Sequence, residues 1–187
     1  MNTRFLFCGL TAASLLTPAS VSMVSTQGAH QSGHSSIIGP LPEAVRNATE
    51  RYRDVNDAIT DGYVQFQGCV SGPDRGAMGV HYSKFSLFDG AVDVNTPEAL
   101  VYEPKNGKLQ LVAAEYVIPA PEWDPMHDPF DKPQLMGHLL QFAPGPNRYG
   151  PTAIYELHVW AWRENPSGPF ADWNPNVSCV QWEGLEP

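Results

Sequence analysis

Apolar residues recur at helical spacing in one stretch of the chain, Leu41 to Ile59. The repeating positions are Val45, Ala48, Tyr52, Val55 and Ile59. This period is typical of a helix that buries one face. Pro42 suits the first turn of such a helix, and Asp61-Gly62 marks its end. The pattern therefore predicts one helix at the start of the folded part of the chain.

Beyond this helix the apolar residues fall into short β-prone runs separated by Gly and Pro. The predicted strands are Tyr63 to Val70, Met78 to Tyr82, Leu100 to Glu103, Leu109 to Ile118, Leu135 to Phe142 and Ile154 to Trp162. Asn106-Gly107 predicts a tight hairpin between the third and fourth runs, because both residues accept a positive φ. We expect an α+β fold, in which the N-terminal helix packs on a mainly antiparallel β-sheet in a single compact domain.

The last predicted strand carries the clearest indication of chemistry. Side chains alternate across a strand, so Glu156 and His158 should share one face with Trp160 and Trp162. The residues of opposite parity, such as Leu157, form an apolar face suited to a core. A carboxylate and an imidazole two residues apart on one sheet face are a potential pair of metal ligands.

The first residues predict export. A short basic start, an apolar run from Phe5 to Leu16 and small residues after it are typical of a secretory signal peptide. The run is shorter than the roughly 20 residues of a membrane-spanning helix. We predict a signal peptide at residues 1–22, a disordered leader at 23–39 and one domain at 40–187. The expected location is secreted or periplasmic.

The charge balance limits the classes of partner. The formal net charge is −9 at pH 7, whereas binding to nucleic acids or anionic membranes relies on clusters of Lys and Arg. We therefore expect neither partner. A small molecule or a carbohydrate remains compatible with the composition, and the sequence indicates no oligomeric state.

Removal of the signal peptide would leave two cysteines, Cys69 and Cys179. In an exported protein such a pair predicts one structural disulfide. Closing a loop of this length would constrain the unfolded chain by roughly 4 to 5 kcal/mol in the entropic model.

Five segments together resemble a set of exported bacterial proteins to which no activity is assigned. They are MGVHY (78–82), PEALVYEP (97–104), LVAAEYVIP (111–119), GPNRYG (145–150) and YELHVWAWRENPSGPFADWNPNVSC (155–179). The resemblance covers nearly all of the predicted domain and implies a single exported domain. The chain departs from the cupin pattern, because His81 lacks a second histidine two residues on and Glu156 precedes His158.

Four residues on predicted strands or their margins are candidate metal ligands: His81, Glu115, His138 and His158. Imidazole nitrogens with a carboxylate oxygen suit a divalent zinc, copper, iron or manganese ion. Glu156 is a candidate general base or further ligand. Asp172, Tyr82 and Tyr116 are possible partners for the ligands.

Glu115 interrupts the apolar series Leu109, Leu111, Ala113 and Val117. A buried carboxylate must be paired, hydrogen-bonded, protonated or bound to metal. Two alternatives to metal binding therefore stay open. Glu115 would be a structural partner for an arginine or a tyrosine hydroxyl, or it would form an acid–base pair with Glu156, as in glycosidases.

The hypothesis that these patterns favour is an exported protein that binds a divalent metal through strand His and Glu residues, and it is compatible with a metalloenzyme. The alternative is a non-catalytic module that binds a carbohydrate or another small ligand through a Trp-lined face.

Overall fold

A computed structural model of the chain describes residues 39–182. The expected signal peptide at 1–22 and the leader up to residue 38 lie outside the described residues. Among the residues that are described, no helix has the length and apolar character needed to cross a bilayer.

The predicted N-terminal helix is divided into three parts. These are α1 (Pro40–Thr49), a 3₁₀ turn (Glu50–Arg53) and α2 (Val55–Thr60). The break falls at Asp54, which has an extended backbone and whose side chain accepts a hydrogen bond from the Asn56 backbone N–H. Asp54 therefore caps a new helix instead of continuing the first one. Gly62 follows α2 with a φ of 93°, so the predicted end is confirmed.

Six strands form one antiparallel sheet in the order β1-β2-β3-β4-β8-β7. Their bounds are β1 (Val64–Gly72), β2 (Gly76–Ser83), β3 (Ala99–Lys105), β4 (Lys108–Pro119), β7 (Gln141–Ala143) and β8 (Ile154–Val159). Two further strands, β5 (Gln134–Leu135) and β6 (His138–Leu139), form a separate pair. The sheet with its short helices, which also include α3 (Ala120–Trp123), agrees with the predicted α+β class.

The single strand predicted from Leu135 to Phe142 is wrong, because the segment forms β5, β6 and β7 in succession. Met136 and Gly137 both have positive φ values, 48° and 85°. They make a tight turn in the middle of the run. The apolar run therefore reverses direction before it reaches the main sheet.

The hairpin between β3 and β4 has the predicted turn. Lys105 pairs with Lys108, and the two residues between them have positive φ values of 53° at Asn106 and 71° at Gly107. These values define a two-residue turn of the primed type, which matches the twist of the flanking strands.

A β-bulge at Val112 changes which residues of β4 share a face. Tyr102 pairs with Leu111 and Val101 pairs with Ala113, so Val112 has no partner on β3. Leu111 consequently belongs to one apolar cluster and Ala113 to another. The expectation that Glu115 interrupts one continuous apolar face is therefore wrong, because the face changes at the bulge.

Each face of the sheet packs on a different part of the chain. The helices cover one face, where Leu41 and Val45 join a core that includes Leu157. The C-terminal segment covers the other face, where Val177 packs with Trp160. The Cys69–Cys179 disulfide, with a sequence separation of 110, fastens this segment to β1 and confirms the predicted bridge.

Candidate metal centre

Three buried side chains meet on the face that the C-terminal segment covers. They are His81 from β2, Glu115 from β4 and His158 from β8, with relative exposures of 1%, 0% and 0%. Each residue offers one potential ligand atom, and these three atoms all lie within 4.8 Å of one another. The structure thus brings together three of the four predicted metal ligands.

The sheet register explains how residues so distant in sequence meet. Glu115 pairs directly with His158, and on the other side of β4 it pairs with Ala99. Ala99 in turn pairs with Ser83, two residues from His81. Because Ala99 contributes only a methyl group between the strands, His81 and Glu115 can reach each other above it.

Gly79 lets β2 approach β3 closely just before His81. Its φ is 115°, and a Cβ atom at this position would lie 2.6 Å from the Tyr102 carbonyl oxygen. Such a contact is not tolerated, so only glycine fits here.

The Glu115 carboxylate lies close to both histidine rings but forms no hydrogen bond with either of them. Glu115 Oε2 lies 3.4 Å from His81 Nε2 and 3.9 Å from His158 Nε2. Both Nε2 atoms and His158 Nδ1 are buried and have no hydrogen-bond partner among the described residues. Buried polar atoms are normally satisfied, so three such nitrogens beside a carboxylate require an explanation.

The donor atoms have a spacing that suits a metal ion. Ligands about 2.0 to 2.2 Å from a tetrahedral ion are separated from each other by about 3.3 to 3.6 Å. The 3.4 Å between His81 Nε2 and Glu115 Oε2 falls in this range, and the 3.9 Å to His158 Nε2 exceeds it by a few tenths of an ångström.

The protonation states also suit metal binding. Burial lowers the pKa of His81 to about 4 and that of His158 to about 3. Burial acts to raise the pKa of Glu115, but the neighbouring Arg148 guanidinium and the Tyr149 hydroxyl hold it well below its usual range. At neutral pH both imidazoles are therefore neutral and Glu115 is ionised, which are the forms that bind metals.

Two residues that sequence reasoning did not select complete the surroundings of Glu115. Arg148 Nη2 donates to Glu115 Oε1 and also to Glu156 Oε2, the latter at 2.8 Å. The Tyr149 hydroxyl donates to Glu115 Oε2 at 2.6 Å. The alternative that Glu115 partners an arginine or a tyrosine hydroxyl is therefore confirmed for both types, in addition to its contacts with the histidines.

Arg148 and Tyr149 occupy the tip of a tight turn. Asn147 and Gly150 exchange both backbone hydrogen bonds, at 2.9 and 3.0 Å, with Arg148 and Tyr149 between them. The available sequence signal was indirect: a buried Glu115 needs a cationic partner, and Arg148 is eight residues before Glu156.

Glu156 lies beside the group, outside the mutual 4.8 Å limit. Burial raises its pKa to about 8, Glu115 contributes in the same direction, and Arg148 opposes both effects. Glu156 therefore keeps a proton at neutral pH while it accepts the hydrogen bond from Arg148.

Asp172 is the nearest carboxylate on the outer side of His158. Its Oδ1 lies 3.8 Å from His158 Nδ1, and its side chain is 35% exposed. Tyr116, another predicted partner, points to the opposite face and donates to the Val94 carbonyl. Tyr82 also belongs to the core on the helical face.

His138 lies outside the group, so the prediction that it is a metal ligand together with the other three residues is wrong. It lies on β6, and its ring packs on Phe170 with 4.3 Å between the ring centroids. The two-residue strand that carries it pairs with β5, outside the six-stranded sheet.

The predicted shared face of Trp160 and Trp162 is also wrong. Trp160 follows the end of β8 and lies near His158, at 6.3 Å between the ring centroids. Trp162 lies on the helical side, where its indole N–H donates to Thr49 Oγ1 at 2.9 Å. The alternation ends because β8 stops at Val159 and the chain turns sharply, with Ala161 N–H donating to the Val159 carbonyl.

No known protein family, no curated protein and no solved structure matches this chain.

Proposed function

We propose that this chain is a single exported domain that binds one divalent metal ion through His81, Glu115 and His158. The observation that carries the proposal is the set of buried imidazole nitrogens that face one carboxylate oxygen and have no hydrogen-bond partner among residues 39–182. Coordination to a metal would satisfy the two Nε2 atoms at once.

The donor set limits the choice of ion. Two imidazole nitrogens and a carboxylate oxygen suit zinc, copper, iron or manganese. The two cysteines within the described residues are joined in the disulfide, so neither supplies a thiolate. The three proposed ligands supply nitrogen and oxygen atoms, with no thiolate from residues 39–182.

The position and protonation of Glu156 support a more specific proposal, that the metal centre belongs to an enzyme. Glu156 carries a proton at neutral pH because of its raised pKa of about 8, and the hydrogen bond from Arg148 fixes its position. A carboxyl group so placed would exchange a proton with a molecule bound at the centre.

Metal analysis of the purified chain tests the proposal. We expect one zinc, copper, iron or manganese ion per chain by elemental analysis, and loss of that ion in His81→Ala and His158→Ala. His138→Ala is the matched control, since it removes a strand imidazole outside the group. Equal metal loss in all three variants, or stoichiometric metal in His158→Ala, would contradict the assignment.

The alternative of a carbohydrate-binding module receives less support from the placement of the tryptophans. Trp160 is 4% exposed. Trp162 lies beneath the Arg46 and Arg53 guanidinium groups. Trp123 stacks on His127, with 3.6 Å between the ring centroids. Sugar binding normally uses an open aromatic platform, and these three residues do not share one.

A further inference from the structure

Tyr149 directs its hydroxyl at Glu115, the carboxylate of the His81, Glu115 and His158 group. The hydroxyl donates at 2.6 Å to Glu115 Oε2, the oxygen that also faces both histidine Nε2 atoms. The Tyr149 ring packs against two other aromatic rings: it stacks on Phe66 with 5.3 Å between the ring centroids, and it makes an edge contact with Phe88 at 5.5 Å. These ring contacts and the hydrogen bond to Glu115 together fix the position of the phenol oxygen.

We propose that Tyr149 Oη is the fourth ligand of the metal centre and binds as a phenolate. The inference rests on the proposed function and deepens it, since it defines the ligand set as two imidazole nitrogens, one carboxylate oxygen and one phenolate oxygen. When the metal binds, a bond forms between the ion and Oη, the O–H bond breaks, and the proton leaves to solvent.

The geometry requires only a small adjustment for this ligation. A 2.6 Å separation between Tyr149 Oη and Glu115 Oε2 is that of a hydrogen bond, whereas two ligands of one tetrahedral ion lie about 3.3 to 3.6 Å apart. Loss of the shared proton removes the attraction that holds the two oxygens together. A movement of about 1 Å at the tip of one side chain brings these two oxygens to the separation of two ligands of one ion.

Burial and the Glu115 carboxylate hold the pKa of Tyr149 well above its usual range, so the phenol ionises only when a cation binds beside it. The carboxylate of Glu115 already has a cationic partner in Arg148. A divalent ion would therefore add positive charge to a buried group that has little negative charge left to balance it. Phenolate formation supplies one further negative charge at the place where the ion would sit. Metal binding commonly releases protons from its ligands in this way.

A ligand set of two nitrogens and two oxygens suits copper(II), which accepts nitrogen and oxygen donors in square-planar or tetragonal arrangements. A phenolate bound to copper(II) has a charge-transfer absorption in visible light, whereas zinc has a filled d shell and shows none. A visible band on copper(II) binding, absent with zinc(II), would therefore indicate that Tyr149 is bound to the metal.

Copper(II) and zinc(II) titrations of the metal-free full chain test the inference. We expect one equivalent of copper(II) to produce a visible charge-transfer band that zinc(II) does not produce. The band should be lost in Tyr149→Phe and in His81→Ala. It should persist in Tyr63→Phe, a control that removes another buried tyrosine hydroxyl, one that donates to the Pro97 carbonyl at 2.7 Å.

The outcomes separate this inference from the proposed function. Two results would overturn the role of Tyr149 and leave the metal centre in place. The first is copper(II) binding that depends on His81 but produces no visible band. The second is a band that persists in Tyr149→Phe. Binding of neither ion would overturn both. If Tyr149→Phe does not fold, the ultraviolet difference spectrum of the zinc-loaded wild type decides. Ionisation of one tyrosine supports the ligand, and its absence rules the ligand out.

Discussion

Glu115 and His158 are cross-strand partners on β4 and β8, with Glu115 Oε2 3.9 Å from His158 Nε2. Residues paired in this way point to the same face of a sheet, while their neighbours in sequence point to the other. His158 thus belongs to the candidate centre, and Leu157 belongs to the core on the helical face.

His158→Ala and Leu157→Ala should therefore have opposite effects. The first should abolish metal binding and leave the fold intact, because it removes a ligand without opening the main core. The second should lower the free energy of unfolding by about 2 to 5 kcal/mol, the usual cost of truncating a buried leucine, and should keep the metal. Elemental analysis and urea unfolding of both variants check this pair. A His158→Ala chain that unfolds, with metal retained in its folded fraction, would make this histidine structural.

Arg148→Met should destabilise the metal-free protein by about 3 to 5 kcal/mol. The substitution leaves Glu115 buried without its cationic partner, and uncompensated buried charges carry costs of this size. Urea unfolding in the presence of a chelator measures the effect. Arg53→Met is the control, because the Arg53 side chain is exposed, so its ion pair with Glu50 and its contact with the Trp162 ring each contribute no more than about 1 kcal/mol. Equal effects of the two substitutions would show that Glu115 does not depend on Arg148.

The group at the centre was only partly predictable from sequence. His81, Glu115 and His158 were found because each interrupts a β-prone run with a side chain that can bind a metal. Arg148 and Tyr149 were missed because they lie in a turn rich in Gly and Pro, where no periodicity indicates which way a side chain points. Their approach to Glu115 depends on a tertiary contact, which sequence patterns do not encode locally.

The fold shows the same division between local and distant causes. The hairpin at Asn106-Gly107 was predictable, because the turn needs positive φ at both residues. The bulge at Val112 was not, since valine also suits a regular strand position. The helix break at Asp54 had a usable signal in the preference of Asp for capping positions, but the regular apolar spacing on either side concealed it.

Replacement of Cys69 and Cys179 by alanine should lower the free energy of unfolding by a few kcal/mol. The bridge closes a loop with a sequence separation of 110, and the entropic model gives roughly 4 to 5 kcal/mol for such a length. Denaturant unfolding of the double variant against the oxidised wild type measures the change. Mass spectrometry of a non-reduced digest should show the linked peptides, and two freely alkylated thiols would contradict the bridge.

Glu98→Gln should flatten the dependence of stability on pH. Burial raises the pKa of Glu98 from 4.5 to about 8, against the hydrogen bond from the Val117 backbone N–H. Between these values the folded state keeps a proton that the unfolded chain releases. The contribution of Glu98 to stability is therefore fully present below about pH 4.5 and is lost as the pH rises towards 8. The slope is at most about 1.4 kcal/mol per pH unit.

Glutamine keeps an oxygen that can accept from Val117, so the substitution removes the titration and little else. Denaturant unfolding of wild type and variant across this pH window provides the comparison. Parallel curves for the two proteins would show that Glu98 is ionised in the folded state throughout.

At the bulge, Val112 is an extra residue on β4 that has no partner on β3. If Val112 were paired and the regular register from Tyr102 and Leu111 continued, Glu115 would lie opposite Glu98. Its side chain would then face the helices, away from both histidines. If Val112 were deleted, the ladder would become regular and Glu115 would still stand opposite Ala99. The pairing of Glu115 with Ala99 is thus compatible with two strand lengths, one with a bulged Val112 and one without that residue. A homologous strand that is one residue shorter at this point can therefore carry the same centre.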